Sequence, residues 1–572
     1  MEGRIMKAIF RYILIAAAVT VAAACSLKEE PTSFVNKHNF YENQDQCYAA
    51  LNACYIPLNS IYTSNFMIAV EGCTDLWQSN SSTVDSSLDV SPSKPQFGTT
   101  VWEQGYKGVM YCNEAIHNIE RSAVADSLKG PLAAEGRVMR AMYYYILTSF
   151  FNGVPFYTCM VDSYQVQDSI RTLPRTPANT IRAELYKDLR DNAIPYFTKE
   201  NGLKVRGGDA PNNRSGYAHG LMLMAKFAMW NEDWEEALVP LKLLEELYGE
   251  FTEERYPLEQ IQWRFKNTPE SIFEIQHEYA RDGVRYYGNV ACIMMPRHEG
   301  DGVFDGVRMS GYGTTMPGWN SLSITNVHSM FRPNWGLVTT ETSASQGSLF
   351  SPLPLTYDTE AAPYVESGKQ RYRTKIDLET VKKLKANQSV TLRGHKVDRR
   401  VLYCIGLGNY ETGETFVTTQ KYGTGWPGSK FWCPDIERSY DSNNYRIFRY
   451  ADAILMMAEC YANLEDSDNC MRCLNLIRTR AGVDPITNFT GYEDLLVTIR
   501  AERARELGGE FMRKFDLVRW GIWYEQTYQF THKDLLREKM LPCHRYYPIP
   551  DKQCSLSGYA LDNEEYKNNG LN

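Results

Sequence analysis

Apolar and polar positions alternate at helical spacing through the first half of the chain. Between residues 133 and 151 apolar side chains recur every three or four positions, the pattern of a helix with one buried face, and Asn152 and Gly153 end it. The same spacing returns in residues 180–197, after a linker that contains proline. We therefore predict two helices that pack against each other as a hairpin.

The same pattern predicts two further pairs of helices. In each pair a short polar turn separates two amphipathic segments, and Gly482 closes the last segment. Small residues such as Ala453 and Ala458 are expected to face neighbouring helices, as in tetratricopeptide repeats. Because long segments interrupt the repeat, the predicted fold is mainly α: a tetratricopeptide-like helical hairpin scaffold with long loop insertions and a few short strands. The four segments are residues 217–230, 234–248, 450–463 and 469–480.

A long stretch between these pairs lacks helical periodicity. Residues 251–441 are rich in glycine, proline, serine, threonine and aromatic side chains, which predicts loops with short strands, one of them at residues 271–277. Loops of this length in a folded domain are usually functional. We expect the binding residues to lie there.

The amino terminus has the layout of a secretory signal. Arg4, Lys7 and Arg11 precede an apolar run over residues 12–24 that stops at Cys25. The run is shorter than the ~20 residues that a membrane-spanning helix needs. Three alanines before Cys25 resemble a bacterial lipobox, in which the cysteine thiol is acylated; a plain signal peptide followed by an ordinary cysteine is the alternative.

Composition and cysteine spacing exclude several functions. A net charge of −8, from 61 basic and 69 acidic residues, disfavours a nucleic-acid partner. Cys470 and Cys473 form a C-x-x-C inside a predicted helix, so we predict buried structural thiols rather than a redox or zinc site, and no disulfide framework. No motif predicts a cofactor or metal, although a glycosidase needs only two carboxylates that leave no motif.

Five separate stretches, in the same order along the chain, resemble the SusD/RagB family of surface lipoproteins. The first spans residues 134–155 and resembles the family's "AEARFLRAxYYF…GGVPL" pattern, and Trp102, Tyr106 and Asn113 fit the helix before it. Residues 445–459, 502–520 and 547–550 resemble its "RYADVLLxxAE", "ERxxELxxEGxRxxDLxRW" and "YPIP" patterns. The chain departs from the family at Phe511, where glycine is preferred, and after Gly558, where "NPGY" is missing.

The resemblance implies a function and a location. Family members bind glycan and deliver it to a SusC-like TonB-dependent transporter without transforming it. They are held in the outer membrane by a lipid, here on Cys25, and residues 26–30 resemble the acidic signal that sends such proteins to the cell exterior. The implied division is a signal peptide at 1–24, an N-terminal helical region at 25–250 and a C-terminal region with ligand-binding loops at 251–572. A peptide cargo, as in RagB-like relatives, a surface glycosidase and a scaffold that binds only proteins remain alternatives.

Glu502, Glu506 and Glu510 recur every fourth residue beside Arg503 and Arg513. Paired carboxylates could perform acid/base chemistry. Because the same predicted helix carries large apolar residues, we expect these charges to form buried ion pairs instead.

Glycan binding requires flat aromatic side chains with polar groups at their edges. The loop at residues 72–82 carries such a set, with an exposed Trp77 expected, and a second set follows the predicted strand. Loop packing is the alternative for each residue, and capping of the neighbouring helix is a further one for Trp77. Trp426 and Trp432 form a weaker third group, whereas the helical pattern assigns Trp102 to the core. The predicted ligand-binding residues are Asp75, Trp77, Gln78, Asn80, Tyr279, Arg281, Tyr286, Tyr287, Trp319 and Trp335.

Overall fold

Helical hairpins account for most of the described chain. A computed structural model describes residues 40–79, 84–197, 214–278, 286–294, 303–304, 307–308, 331–333, 349–350, 352–357, 360, 364–366, 369–371, 374–406, 426–434, 440–531 and 534–571. Its helices are α1 Gln44–Ala53, α2 Ile56–Ile61, α3 Ser64–Val70, α4 Val84–Ser87, α5 Phe97–Arg121, α6 Asp126–Phe151, α7 Tyr164–Arg171, α8 Ala178–Asn192, α9 Tyr217–Trp230, α10 Trp234–Tyr248, α11 Ala291–Met294, α12 Leu378–Lys385, α13 Val401–Cys404, α14 Tyr450–Asn463, α15 Ser467–Arg480, α16 Tyr492–Leu507, α17 Arg513–Arg519, α18 Trp523–Phe530, α19 Asp534–Lys539, α20 Asp551–Leu556 and α21 Glu564–Asn568.

The predicted helices are present, with small changes at their ends. α9, α10 and α14 have the predicted bounds. α8 stops at Asn192 and a short 3₁₀ turn, Ile194–Tyr196, follows, because Pro195 has no N–H to continue the helix. α15 begins two residues early, since the Asp466 side chain accepts a hydrogen bond from the Asn469 N–H at 3.1 Å and caps it.

Glycine allows the first long hairpin, α5 and α6, to pack closely. A Cβ on Gly105 would lie 2.8 Å from the Leu147 side chain, and one on Gly108 would lie 2.2 Å from the Tyr143 ring. These distances leave no space for any larger residue. Tyr143 can therefore reach across α5 and donate a hydrogen bond to the Cys54 carbonyl, which ties the hairpin to the end of α1.

Successive hairpins stack side by side. α6 packs on α8, α8 on α9, α10 on α14, and α14 on both α15 and α16. α9 lies between neighbours on several sides, so twelve of its residues are buried. One apolar cluster runs through both predicted regions and contains Trp102, as predicted. The mainly α, tetratricopeptide-like fold is confirmed.

Strands are short, as the loop-rich composition predicts. Within the described residues they pair as seven antiparallel ladders of two strands each. The predicted strand at 271–277 is present but ends at Ile275, and its partner comes from the distant end of the chain. The strands are β1 Trp77–Ser79, β2 Ser271–Ile275, β3 Val303–Phe304, β4 Val307–Arg308, β5 Phe331–Pro333, β6 Leu355–Tyr357, β7 Tyr364–Glu366, β8 Lys369–Arg371, β9 Thr374–Ile376, β10 Thr391–Leu392, β11 His395–Lys396, β12 Ile405–Gly406, β13 Trp426–Pro427 and β14 Tyr445–Arg449.

The charged block is two helices, so the prediction of one continuous helix is wrong. α16 ends at Leu507, and the backbone then takes left-handed values at Gly509 (φ +82°) and Phe511 (φ +61°) before α17 begins. Helical spacing therefore does not apply to Glu510. The predicted burial is nevertheless confirmed, because Glu502, Glu506 and Glu510 are all at most 2% exposed.

The cysteines follow the predicted burial. Cys470 and Cys473 lie inside α15 with no exposed surface, and among the described cysteines Cys159 is exposed. No disulfide joins cysteines in the described part of the chain. In the same residues no helix is long and apolar enough to cross a membrane.

Candidate functional site

The structure corrects the first predicted group of ligand-binding residues. Trp77 is 2% exposed and belongs to the apolar core, so the expectation of an exposed indole is wrong. Asp75 is also buried, and its two carboxylate oxygens accept hydrogen bonds from Nε and Nη2 of Arg513 at 2.9 and 2.7 Å. Glu71 caps α17 nearby by accepting from the Met512 and Arg513 N–H groups. This loop therefore fastens α3 to α17.

A second predicted group includes two tyrosines at the surface. Tyr286 is 57% exposed and Tyr287 is half-buried. The Glu278 N–H donates to the Tyr286 carbonyl at 2.6 Å, so Tyr286 lies beside Glu278, just beyond the end of β2. Both tyrosine side chains are at least partly exposed and lie beside polar backbone, as predicted for sugar binding.

A third tyrosine, which the sequence did not single out, completes this surface. The rings of Tyr287 and Tyr440 lie 3.9 Å apart, centroid to centroid, at an angle of 41°. Tyr440 stands just before the polar run Asp441, Ser442 and Asn443. An aromatic side chain among short polar residues was the signal used for Trp77, and it would have found Tyr440. We call Tyr286, Tyr287 and Tyr440 the tyrosine platform.

The base of the tyrosine platform is tied down by backbone hydrogen bonds. Gly288 and Asp441 exchange two N–H to carbonyl bonds of 2.8 and 2.9 Å, and the Asp441 carboxylate accepts from the Ala291 N–H at 2.9 Å. The Asn289 and Val290 N–H groups both donate to the hydroxyl of Tyr445. Burial, together with the charge of Asp441, raises the pKa of Tyr445, so this hydroxyl stays neutral. The platform is thus held in place before any ligand arrives.

Gly288 is required at this point of close approach. A Cβ there would lie 2.0 Å from the Tyr445 hydroxyl oxygen. Only glycine allows the backbone of residue 288 to reach Asp441 while Tyr445 fills the space below. Tyr445 is itself wholly buried on β14 and packs its ring 4.2 Å from His277.

Several predicted residues receive no further description. Asn80, Tyr279, Arg281, Trp319 and Trp335 lie outside the described residues, and their binding roles stay predictions. The backbone of Gln78 pairs with Arg332 in the β1–β5 ladder. In the weaker third group Trp432 is 1% exposed, so it is a core residue.

The buried charges lack the properties of an acid/base pair. Arg449 donates to Glu270, Glu506 and Glu510, while Arg480 and Arg400 also contact Glu506. Burial alone would raise the pKa of Glu506, but these three arginines hold it well below its usual range. A general acid must carry a proton near neutral pH. The predicted structural role of this block as buried ion pairs is confirmed.

Metal binding has no support in the described residues. They contain no group of three or more His, Cys, Asp or Glu side chains placed to hold an ion.

Two family models match the chain at its two ends. The model described as "SusD family" matches residues 408–566. The model described as "Starch-binding associating with outer membrane" matches residues 28–194. The matched regions include the stretches that carried the resemblance in the sequence.

Individual proteins match over nearly the whole length. The SusD-like protein P25 of Formosa agariphila is 22% identical over 511 residues, which cover 86% of this chain and 82% of that protein. A crystal structure of a SusD-like protein from Bacteroides fragilis superposes with a TM-score of 0.63 and 18% identity, covering 92% of this chain and 98% of that one. Surface glycan-binding protein A of Bacteroides thetaiotaomicron, solved in complex with laminarihexaose, gives a TM-score of 0.59 and 17% identity, covering 91% and 99%. The two family models and the curated relative identify the chain as a member of the SusD/RagB family.

Proposed function

We propose that this protein is a surface lipoprotein of the outer membrane that binds oligosaccharide or polysaccharide and delivers it to a SusC-like TonB-dependent transporter. The observation that carries the binding step is the tyrosine platform. Membership in the family and the outer-membrane association in the description of one matching model support the location. The lipid on Cys25 supplies the anchor.

The chemistry of the platform suits a sugar. A pyranose ring has a face of C–H groups ringed by hydroxyls, so it stacks on a flat aromatic and hydrogen-bonds at its edge. Tyr286 and Tyr287 offer rings, and both lie beside backbone whose hydrogen bonds fix its position. Preorganisation of this kind reduces the ordering cost of binding. Trp319 and Trp335, from the long loop, are proposed to complete the site.

Isothermal titration calorimetry of the purified chain against a panel of polysaccharides tests this. Laminarin is a sensible first member, because a related protein was solved with laminarihexaose. If each ring contributes about 0.5–1.5 kcal/mol, Tyr286→Ala and Tyr287→Ala should each weaken binding by about 2- to 13-fold. Tyr164→Ala is the matched control, since Tyr164 is 87% exposed on α7, a helix whose Arg171 contacts the Leu556 carbonyl.

The panel also separates the alternatives. Binding to peptides and to no glycan would replace the sugar cargo by a peptide cargo, as in RagB-like relatives. Hydrolysis of any glycan by the purified chain would make it a glycosidase and overturn the proposal of binding without turnover. Unchanged glycan affinity in the platform variants and in Trp319→Ala and Trp335→Ala would place the glycan site elsewhere, whereas binding to no glycan and no peptide would favour a scaffold that binds only proteins.

Delivery needs a partner, and co-purification tests it. We expect the chain to co-purify with a TonB-dependent transporter from solubilised outer membranes. If the protein binds glycan but never co-purifies with a transporter, the binding proposal stands and the proposed delivery step is wrong.

A further inference from the structure

A cleft separate from the tyrosine platform lies where α15, α16 and the β10–β11 hairpin meet. Its volume is about 240 Å³, and its walls carry basic, acidic and apolar side chains: Arg478, Arg505, Lys396, His395, Asp398, Asp484, Leu349 and Val483. None of these residues takes part in the tyrosine platform, and Arg478 and Arg505 reach the charged block only through Glu502.

Glu502 orients two arginines of this cleft. Its Oε2 accepts a hydrogen bond from Nη1 of Arg478 at 3.1 Å and from Nη1 of Arg505 at 3.0 Å. The Nε of each arginine donates to a backbone carbonyl, that of Asp484 for Arg478 at 2.8 Å and that of Leu349 for Arg505 at 2.5 Å. Each guanidinium is therefore held on two sides.

The remaining edge of each guanidinium is open. Nη2 of Arg478 and Nη2 of Arg505 have no hydrogen-bond partner among the residues that the structure describes. Both side chains are about one-fifth exposed, so ligand can reach them. Both Nη1 atoms donate to the same oxygen of Glu502, and both arginines line the same cleft. Donors fixed in this way bind an oxyanion at little further cost in side-chain entropy.

The carboxylates around this cleft already have basic partners. Glu502 pairs with Arg478, Arg505 and the buried Arg400. Asp398 and Glu506 also pair with Arg400, and Asp484 pairs with Lys396 at 3.0 Å. The four cations and four carboxylates therefore balance. A carboxylate ligand would be held by charge-assisted hydrogen bonds from the open guanidinium edges and not by an excess of positive charge.

The carbonyl oxygens at the end of α15, next to the cleft, are already hydrogen-bonded. A helix carries partial negative charge at its last carbonyls. Here the carbonyls of Arg478 and Thr479 accept hydrogen bonds from the N–H groups of Val483 and Gly482, at 3.1 and 3.0 Å. With these acceptors already occupied, an anion beside Arg478 meets donors rather than bare carbonyl oxygens.

We propose that this cleft is a second ligand site, which binds the carboxylate of a single acidic sugar residue, such as a hexuronic acid, between the open edges of Arg478 and Arg505. A volume of about 240 Å³ is below the ~300–1,000 Å³ of sites for drug-sized ligands, which fits one sugar ring rather than a chain. Arginine pairs suit a planar carboxylate because they match its two oxygens.

Calorimetry of the purified full chain with sodium glucuronate, glucose and sodium acetate at fixed ionic strength tests the proposal. We expect glucuronate to bind saturably, glucose not to bind in the cleft, and acetate to bind at least tenfold more weakly than glucuronate. Absence of glucuronate binding overturns the proposal. Acetate binding as tight as that of glucuronate overturns the assignment to a sugar, because the site would then recognise the free anion.

Variants locate the binding. Arg478→Gln and Arg505→Gln should each weaken glucuronate binding at least tenfold, and thermal unfolding checks that they remain folded. Val483→Phe keeps every charge and fills the cleft, so it should weaken binding equally. Arg472→Gln is the control, since Arg472 lies on the same helix but pairs with Glu245 on another surface. Equal affinity in Arg478→Gln, Arg505→Gln and Val483→Phe would place the ligand elsewhere and overturn the proposal.

Glycan binding at the tyrosine platform and glucuronate binding in the cleft can be lost independently. Neutral glycans should respond to Tyr286→Ala and not to Arg478→Gln, whereas glucuronate should show the opposite pattern.

Discussion

The ring of Phe511 stacks on the indole of Trp263 with 5.7 Å between ring centroids, while its backbone holds a left-handed φ of +61°. The left-handed region costs a non-glycine residue about 1–2 kcal/mol. The family prefers glycine at this position, and the conformation gives the physical reason. This chain accepts the strain because the ring also packs against Tyr62 and Phe66 in the core.

We expect Phe511→Gly to be more stable than Phe511→Ala by about 1 kcal/mol, although both should be less stable than the native chain by several kcal/mol. Both variants lose the ring, but only glycine also removes the strain. Phe515 is buried in the regular helix α17, so the order should reverse there: Phe515→Gly should be less stable than Phe515→Ala by about 0.5–1 kcal/mol. Urea unfolding of the four variants measures this. A more stable Phe511→Ala would contradict it.

Arg449→Met should lower the free energy of unfolding by about 3–5 kcal/mol, since it leaves buried carboxylates without their partner. Arg449 contacts Glu270, Glu506 and Glu510 at 2.6 to 2.9 Å in a region with almost no exposed surface. Arg472→Met, which removes a half-exposed pair with Glu245, should cost less than about 1 kcal/mol. Similar losses in the two variants would show that burial does not govern the effect.

Gly288→Ala should weaken both stability and carbohydrate binding. The added Cβ would lie 2.0 Å from the Tyr445 hydroxyl, so the backbone must move away from Asp441 and lose hydrogen bonds, at a cost of about 2 kcal/mol. Gly491→Ala is the control, because an added Cβ there meets nothing within 4 Å. Calorimetry with a glycan identified in the panel gives the binding result. Full affinity in a destabilised Gly288→Ala variant would show that the tyrosine platform does not bind the ligand.

Buried histidines make stability fall as the solution becomes acidic. Burial lowers the pKa of His219 to about 3, and that of His277 and His544 to about 4. Unfolded histidine titrates near ~6.5, so below that pH the unfolded chain binds protons that the folded chain does not. Each histidine therefore destabilises the fold as pH falls from about 6.5 toward its folded pKa, with a slope of up to about 1.4 kcal/mol per pH unit.

His219→Gln should reduce the pH dependence of the free energy of unfolding, because one fewer side chain takes up a proton when the chain unfolds. Urea midpoints between pH 6.5 and 4.5 measure this, with exposed His395→Gln as the control. The comparison is made between variants, because burial raises the pKa of Glu71 to about 7 and its contribution has the opposite sign. An unchanged slope in His219→Gln would mean that the imidazole is protonated in the folded chain.

Cys25→Ala should release the protein from the membrane, because the thiol is the proposed site of acylation. Cell fractionation, protease shaving of intact cells and palmitate labelling check this. Full surface attachment of Cys25→Ala would refute the lipid anchor and leave the family assignment intact.

Local patterns in the sequence predicted the scaffold well. α9 and α14 begin and end where their apolar spacing and polar turns indicate, since such boundaries depend on neighbouring residues. The end of α16 was missed although Gly508 and Gly509, a common helix-stop signal, follow Leu507, because the regular spacing of Glu502, Glu506 and Glu510 favoured one continuous helix.

The site was harder to predict because its residues meet across long stretches of chain. Trp77 stands among serine and asparagine and looks exposed, yet α17 and the charged block cover the loop that carries it. Tyr440 joins Tyr287 only through the pairing of Gly288 with Asp441, about 150 residues apart in the chain. Tertiary packing decides which side chains are buried and which distant residues come into contact, and composition alone cannot predict it.

The pairing of β2 with β14 has a consequence for how the protein is made. Ile275 and Tyr445 are partners in that ladder, and Tyr445 and Asp441 also hold the backbone beneath Tyr286 and Tyr287. During synthesis the first of these segments is made long before the second. A molecule truncated before residue 440 therefore carries Tyr286 and Tyr287 but lacks the partners, Asp441 and Tyr445, that hold the backbone beneath them.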